Sequence, residues 1–368
     1  MTIKRGVSFY SYQQSQFFKE LMLEDQMAEL GSIPGADGIE MIDEMSLQYP
    51  TPSKEFERHW FSMVEQHNLV PVALDVGMDV LQYRDHVMSH EECAERLRRD
   101  IRLAKRLGFS VVRVLSATPL DVMIRALPVA EELDIRLGKE IHQPMTLEGQ
   151  QVAEILDYVQ KHDCEHLGIV PDMGIFQYRP SEALLKWFSR RGTQASANAA
   201  ATQLSELIHS GEAGEAFDLS NMTAGNVRSD FLRYLKKGEA PEECKAAFEG
   251  VADFAKKNID NPSEVDFLVV AEALTFSRTS AQTLREIAKN VVCVHGKFYE
   301  MSKTESGFVD ASIDYESAMK ALVEGGFSGY VNSEYEGQRY YQDRTRADLM
   351  SEVEQVRMHQ QMLSALLD

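Results

Sequence analysis

Short apolar runs alternate with longer amphipathic stretches along most of the chain. Eight of these runs have the length and the β-branched and aromatic content of buried strands. Between most of them, apolar residues recur at intervals of three and four, which predicts helices. The predicted strands cover residues 6–12, 37–42, 69–76, 110–117, 135–142, 166–173, 291–298 and 329–336.

This alternation predicts a parallel sheet, and eight strand–helix units favour a closed barrel over an open sheet. No Gly-x-Gly-x-x-Gly string follows the first strand, so a dinucleotide-binding fold lacks its fingerprint. We therefore predict the α/β fold of a (β/α)8 TIM barrel with a helical insertion between strands 6 and 7. A crossover needs only about 30 residues, whereas the segment of about 177–285 is much longer and has helical patterning. We predict one domain over residues 1–368, with a separate domain in that segment as the alternative.

Composition narrows the classes of function and the location. The chain carries 58 acidic and 38 basic residues, a net charge of −20 without a basic stripe, so nucleic acid is not expected as a partner. No apolar run reaches the roughly 18 residues of a membrane-spanning helix, and the N-terminal residues lack a secretory cleavage site. The four cysteines are widely spaced and predict reduced thiols. A cytoplasmic protein without a membrane partner is expected.

Four polar side chains lie at or near the ends of the last four predicted strands: Glu140, Asp172, His295 and Glu334. In a parallel barrel these ends meet at one mouth, where such folds carry their chemistry. Three carboxylates and an imidazole suit a divalent cation of intermediate hardness. Taken singly, each residue also fits a buried salt bridge, a turn or a core histidine, so their joint position carries the prediction.

Strand periodicity adds neighbours to this set, because residues two apart share one face of a strand. His142 follows Glu140 in this way, and Lys297 follows His295. Glu336 follows Glu334, and two carboxylates so placed need a cation or a proton to coexist.

The order of these residues resembles that of a known family. The strings KEIHQP, LGIVPDMG, CVHGKFYE and SEYEG are similar to those of xylose-isomerase-like TIM barrels, the sugar phosphate isomerase/epimerase superfamily. The resemblance spans residues 1–176 and 286–368. It implies a metal ion, with Mn²⁺ expected ahead of Mg²⁺, Co²⁺ or Zn²⁺, and it implies the ligand set Glu140, Asp172, His295 and Glu334.

A narrower resemblance rests on RGVSFYSYQ, GIEMID, HGKFYEM and the long insertion. These features are similar to the α subunit of bacterial C-glycoside deglycosylases. That resemblance implies C–C bond cleavage in 3-oxo-glycosides together with a small β subunit. The sequence departs from many isomerases, because no histidine follows Asp172 in DMGIF and His142 stands near Glu140 where a second catalytic glutamate is common.

These resemblances imply proton abstraction next to a carbonyl group, followed by β-elimination. We predict His142 as the base, because histidine titrates near neutral pH. Lys297 is predicted to orient substrate oxygens or donate a proton. Substrate-binding roles, with structural ion pairs as the alternative, are predicted for Glu336, Arg339, Arg113, Asp75 and Glu40.

The predicted function is therefore that of a metal-dependent C-glycoside deglycosylase α subunit acting on an oxidised sugar glycoside, in an oligomer. An isomerase or epimerase of a free sugar or sugar phosphate, acting through a metal-stabilised enediolate, is the alternative at the same site. A metal-dependent phosphodiester enzyme is disfavoured by the net charge of −20. A non-catalytic subunit is disfavoured by the complete ligand set.

Overall fold

The computed structural model describes residues 2–43, 47–217, 227–276 and 279–367, and eight parallel strands in these ranges form one sheet. The sheet strands, in chain order, are β1 Lys4–Ser8, β2 Ala36–Ile42, β3 Val70–Val76, β4 Val111–Val114, β5 Arg136–Ile141, β6 Leu167–Pro171, β7 Val294–Phe298 and β10 Tyr330–Tyr335. A separate hairpin of β8 Met301–Thr304 and β9 Gly307–Asp310 lies between β7 and β10.

The sheet curls into a nearly closed barrel. Its strand order is β6-β5-β4-β3-β2-β1-β10-β7, and each neighbouring pair is parallel. Two isolated parallel bridges, Ile169 with Val291 and Asp172 with His295, bring the outer strands β6 and β7 together. The predicted TIM barrel is confirmed.

Strand ends differ from the prediction where an apolar run continues into a turn. The first predicted strand, 6–12, stops at Ser8, and Phe9–Tyr12 forms a 3-10 turn. The fourth, 110–117, is a strand only over Val111–Val114. Apolar content alone does not separate a buried strand from a buried turn.

Helices cover the outer face of the barrel, and local capping explains where they begin and end. In the helix His90–Leu107, Ser89 and Glu92 form a capping box at the start, and Gly108 ends the helix with φ +83°. The helices outside the insertion are α1 Gln13–Phe17, α2 Leu23–Gly31, α3 Lys54–Gln66, α4 His90–Leu107, α5 Leu120–Leu133, α6 Gln150–His162, α12 Ala281–Ile287, α13 Tyr315–Glu324 and α14 Glu352–Leu367.

In the described ranges, five helices lie between β6 and α12, the helix that precedes β7: α7 Glu182–Arg190, α8 Ala195–Ser210, α9 Val227–Lys237, α10 Lys245–Asn258 and α11 Glu264–Ala271. They share a hydrophobic cluster distinct from the main core, including Phe188, Leu204, Phe231 and Phe248. Tyr340, near the barrel mouth, packs against both clusters. Residues 218–226 and 277–278 of the predicted insertion lie outside the described residues. The assignment of the chain to one domain stays a prediction.

The barrel interior is apolar at the amino ends of the strands. Val72, Val111, Val170, Val292 and Tyr330 belong to one buried cluster there. Polar side chains occupy the interior at the carboxyl ends, above this layer. The filled base therefore leaves the mouth as the place where the interior can meet a ligand.

Two findings bear on the compositional expectations. All four cysteines lie within the described residues, are buried and form no disulfide. None of the helices in the described ranges is both long and apolar enough to cross a membrane.

Candidate metal centre and active site

The register of the last two barrel strands groups the polar side chains of the mouth. Asn332 on β10 pairs with His295 on β7, and Glu334 pairs with Lys297 one step further on. The bridge between Asp172 and His295 adds the end of β6 to the same level. Since alternate residues of each strand face inward, these side chains meet inside the barrel.

The structure brings the four predicted metal ligands together around one imidazole nitrogen. Nδ1 of His295 lies 3.4 Å from Oε1 of Glu140, 3.8 Å from Oδ2 of Asp172 and 3.3 Å from Oε2 of Glu334. Glu140, Asp172 and His295 each offer a ligand atom within 4.8 Å of the others, and all are buried. Glu40, Asp75 and His295 form a second group of this kind, which shares the histidine.

The chemistry of this cluster fits a bound cation. Nδ1 of His295 and Oε2 of Glu334 are buried and have no hydrogen-bond partner in the described part of the chain, whereas Oδ2 of Asp172 is paired with Nζ of Lys297. Buried polar atoms without partners are expensive, and a metal ion satisfies such atoms. In the network of ion pairs around His295, six carboxylates face three permanent cations, an excess of three negative charges that a divalent ion would reduce. The carboxylates are Glu40, Asp75, Glu140, Asp172, Glu334 and Glu336, and the cations are Arg113, Lys297 and Arg339.

The pKa values of His295 and Asp75 are raised, in agreement with an excess of negative charge around them. Burial lowers the pKa of His295, but the carboxylates of Glu334 and Glu40 outweigh it and raise that pKa well above its ordinary value. Burial raises the pKa of Asp75 to about 7, although Arg113 opposes the shift. The cluster therefore favours any added positive charge, whether a proton or a metal ion.

His142 and Lys297, the predicted catalytic pair, are in contact. Nδ1 of His142 donates to the carbonyl oxygen of Gln143 at 2.7 Å, so the lone pair is on Nε2. Nζ of Lys297 lies 2.7 Å from that Nε2 and donates to it. Lys297 also pairs with Asp172 at 2.6 Å and with Glu336 at 3.4 Å. Burial lowers the pKa of Lys297, but Asp172 and Glu336 raise it well above its ordinary value, so Lys297 stays charged.

A cavity of about 690 Å³ opens at the barrel mouth beside this cluster. Of the predicted substrate-binding residues, Glu336, Arg339, Arg113 and Asp75 line this cavity. Arg339 pairs with Glu336 at 2.7 Å, and Arg113 pairs with Asp75 at 3.2 Å. Glu40 is completely buried beneath His295 and is not part of the lining.

The cavity wall on the side of β2, β3 and β4 has an apolar part, formed by Ile42, Val76, Met78 and Leu115, and Leu115 is 40% exposed. The charged residues Asp43, Asp79 and Arg96 lie beside this apolar part. The cavity thus joins a charged floor to a wall that is apolar around Leu115.

The sequence reasoning missed several polar residues of the site, among them Asp43 and Arg96 of the cavity lining and Asn332 and Ser116 beside the carboxylates. Asn332 donates from Nδ2 to Oε2 of Glu40 at 2.9 Å, and the backbone N–H of Ser116 lies 3.4 Å from Oε2 of Glu140. Asn332 stands two residues before Glu334, so the strand period that linked Glu334 to Glu336 also predicts its inward face. Ser116 acts through its backbone and carries no side-chain signal in the sequence.

Comparison with known proteins supports the resemblance predicted from the sequence. No protein-family model matches the chain. The chain is 28% identical over 336 residues to a C-glycoside deglycosidase alpha subunit of Arthrobacter globiformis, covering 90% of this chain and 84% of that protein. It is 26% identical over 333 residues to the 3'-dehydrocarminate deglycosidase alpha subunit of a Microbacterium species, covering 90% and 88%. These relatives are subunits of enzymes, in agreement with the prediction that the chain is an enzyme.

Solved structures share the fold. A sugar phosphate isomerase/epimerase from Parabacteroides distasonis aligns with a TM-score of 0.51 and 11% identity, over 100% of this chain and 96% of that chain. An L-ribulose 3-epimerase aligns with a TM-score of 0.51 and 12% identity, over 99% and 94%. The chain is thus a TIM barrel with the architecture of the sugar isomerases and epimerases, and its sequence resembles C-glycoside deglycosidase alpha subunits over nine tenths of its length.

Proposed function

We propose that the chain is the catalytic α subunit of a divalent-metal-dependent C-glycoside deglycosidase. In this proposal it cleaves the C–C glycosidic bond of a 3-oxo-glycoside by proton abstraction and β-elimination, and it works with a smaller β subunit. The observation that carries the proposal is the mouth cavity, where the Nε2 lone pair of His142, which is paired with Lys297, and a cluster of ligand atoms lie beside apolar wall residues.

The metal would be held by Glu140, Asp172, His295 and Glu334, with Mn²⁺ the expected ion. The absence of a hydrogen-bond partner for Nδ1 of His295 and Oε2 of Glu334 among the described residues, and the excess negative charge around them, support this ligand set. A divalent ion bound there would supply Lewis-acid polarisation of a substrate oxygen.

His142 is the proposed base. Its Nδ1–H is fixed by the carbonyl of Gln143, which leaves the Nε2 lone pair to accept a substrate proton. Since Lys297 donates to that lone pair, proton transfer to His142 requires Nζ to move away from Nε2. Lys297, which stays protonated, is proposed to stabilise the negative charge that develops on the substrate oxygen.

The elimination uses the ketone at C3 of the sugar. The C2–H bond breaks, its proton goes to His142, and its electron pair forms the C1=C2 double bond. Between these two events the electron pair is held as the enolate of the C3 ketone. The bond from C1 to the aglycone then breaks as the double bond forms, and the aglycone carbon takes the electron pair of that bond and then a proton. Atoms and electrons balance without an oxidant, because the substrate already carries the ketone.

The cavity volume supports a glycoside over a free sugar. About 690 Å³ lies in the range of pockets that enclose drug-sized ligands, which is more than a single sugar ring requires. The sugar would contact Asp75, Arg113, Glu336 and Arg339 at the charged side. The apolar wall around Leu115 would contact the aglycone.

The test uses the purified chain with Mn²⁺ and a 3-oxo C-glucoside in D₂O. Chromatography measures release of the aglycone, and mass spectrometry measures deuterium uptake at C2 of recovered substrate. Deuterium uptake reports proton abstraction even where the partner subunit is needed for release. Absence of both signals, with or without the partner subunit, would overturn the proposal. Turnover of a free ketose without aglycone release would favour the isomerase or epimerase instead.

Two variants separate binding of the metal from proton transfer. His142→Ala is expected to retain the metal and to lose both deuterium uptake and release. Glu140→Gln is expected to lose the metal. Full activity of His142→Ala would remove His142 as the base, and active protein without a divalent ion would remove the metal.

A further inference from the structure

Glu40 lies behind His295 and away from the mouth cavity. Its side chain is completely buried, and its Oε1 lies 2.9 Å from Nε2 of His295. The two atoms are in ion-pair range, although they are not aligned as a hydrogen bond. Its other oxygen, Oε2, accepts a hydrogen bond from Nδ2 of Asn332 at 2.9 Å. One oxygen of Glu40 is thus held by the side-chain amide of Asn332 on β10, while the other faces the imidazole.

The two nitrogens of His295 face different groups. Nδ1 faces the proposed ligands Glu140 and Glu334, whereas Nε2 faces Glu40. Asp75 also approaches Nε2, at 3.5 Å, but the same Oδ2 pairs with Arg113 at 3.2 Å. Glu40 is therefore the carboxylate nearest to Nε2 and has no arginine in ion-pair range among the described residues.

A neutral imidazole carries one N–H and one lone pair, and only one assignment suits these surroundings. With the proton on Nε2, the N–H faces the Glu40 carboxylate and the Nδ1 lone pair faces the ligand group. With the proton on Nδ1, the Nε2 lone pair would face a carboxylate oxygen at 2.9 Å and repel it.

We propose that Glu40 is a positioning residue that keeps Nε2 of His295 protonated and so presents the Nδ1 lone pair to the metal. Glu40 then acts through the imidazole and does not touch the substrate. Carboxylates placed in this way orient metal-binding histidines and raise their basicity. The inference rests on the proposed metal centre and is independent of the proposed reaction.

The test measures metal affinity and the tautomer of His295 together. Mn²⁺ dissociation constants are measured by calorimetry for the wild type, Glu40→Gln and Glu40→Ala. The tautomer is read from long-range ¹H–¹⁵N correlations of the imidazole rings, with the His295 signals assigned by their loss in His295→Gln. Spectra are recorded without metal and with Zn²⁺, which is diamagnetic.

We expect Glu40→Gln to bind Mn²⁺ about 10-fold more weakly and Glu40→Ala up to about 100-fold more weakly. In the wild type, His295 is expected as the Nε2–H tautomer with Zn²⁺ bound through Nδ1, and this preference should weaken in Glu40→Ala. Glu336→Gln is the matched control. It removes one of the same six carboxylates, but its partners are Lys297 and Arg339, so His295 should keep its tautomer.

Two results would overturn the proposal. One is wild-type affinity in Glu40→Ala. The other is an equal loss of affinity in Glu40→Gln and Glu336→Gln with the tautomer unchanged, which would mean that only net charge matters. If neither Glu40 variant folds, Asn332→Ala releases Oε2 of Glu40 and should weaken Mn²⁺ binding in the same direction, and unchanged affinity there would overturn it. A wild type that binds no divalent ion would instead remove the proposed metal centre.

Discussion

Replacement of Lys297 by methionine should destabilise the barrel when divalent cations are absent. The Lys297 side chain is 1% exposed, and Nζ lies 2.6 Å from Asp172 and 3.4 Å from Glu336. Methionine is a flexible apolar side chain of similar reach, so the substitution mainly removes charge. It would leave the six carboxylates of the ion-pair network around His295 with two of their three permanent cations, Arg113 and Arg339.

The magnitude follows from the burial of the pair. Removal of one partner from a buried ion pair costs about 3–5 kcal/mol, because the remaining charge has no compensation. A ligand at 100 times its dissociation constant returns about 2.7 kcal/mol to the folded state. Loss of the ammonium should strengthen cation binding, since it removes a positive charge beside Asp172, one of the proposed ligands. We therefore expect Lys297→Met to be about 3–5 kcal/mol less stable than the wild type in EDTA, and less far behind it in Mn²⁺.

The assay is urea unfolding followed by fluorescence. The chain has two tryptophans, and Trp60 lies buried in α3 on the barrel whereas Trp187 lies in the insertion. A Trp187→Phe background therefore isolates the barrel transition. Lys320→Met on α13 is the matched control, because Lys320 is 74% exposed and 4.0 Å from Glu324, and it should change stability by less than about 0.5 kcal/mol. Equal stability of Lys297→Met and the wild type in EDTA would refute the reasoning, as would a difference that Mn²⁺ leaves unchanged.

Packing near the site leads to two further predictions. Burial lowers the pKa of His359 from 6.5 to about 3. The unfolded chain takes up a proton on this ring near pH 6.5, whereas the folded ring does not. The free energy of unfolding should therefore decrease as the pH is lowered, by about 2 kcal/mol at pH 5. Thermal melts from pH 7.5 to 5 should show a shallower loss for His359→Gln, and identical slopes would contradict the assignment. A Cβ at Gly337 would lie 1.9 Å from the carbonyl oxygen of Tyr299, whereas one at Gly77 would meet only an ordinary 3.5 Å contact. Urea unfolding should show Gly337→Ala destabilised by about 1–3 kcal/mol and Gly77→Ala almost unchanged, and similar values for both would be inconsistent with these contacts.

The barrel was predictable because its strands are buried on both faces and therefore appear as apolar runs. The same rule fails at chain segments that are apolar without being strands, as Phe9–Tyr12 shows. It also passes over the hairpin of β8 and β9, whose exposed Lys303 and Thr304 interrupt the apolar pattern. The hydrophobicity of a segment indicates whether it is buried. It does not show the backbone hydrogen bonds that distinguish a strand from a turn.

The site was predictable along each strand and less so across the barrel. A period of two correctly grouped His295 with Lys297 and Glu334 with Glu336 on inward faces. The sequence holds no measure of the distance between β2 and β7, so it could not separate Glu40, which lies behind the imidazole, from residues that line the cavity. That separation depends on which strands face each other across the closed sheet.

The contact between Lys297 and His142 links the charge of the mouth to its chemistry. Nζ of Lys297 is held by Asp172 at 2.6 Å and in turn occupies the lone pair of His142 at 2.7 Å. A divalent cation bound at Oδ2 of Asp172 would repel the ammonium of Lys297, because two positive charges so close together repel each other strongly. If the four ligands bind a cation, the hold of Asp172 on Lys297 weakens and Nε2 of His142 becomes free to accept a proton. Under the proposed function, the same charge balance would therefore govern both metal binding and the availability of the base.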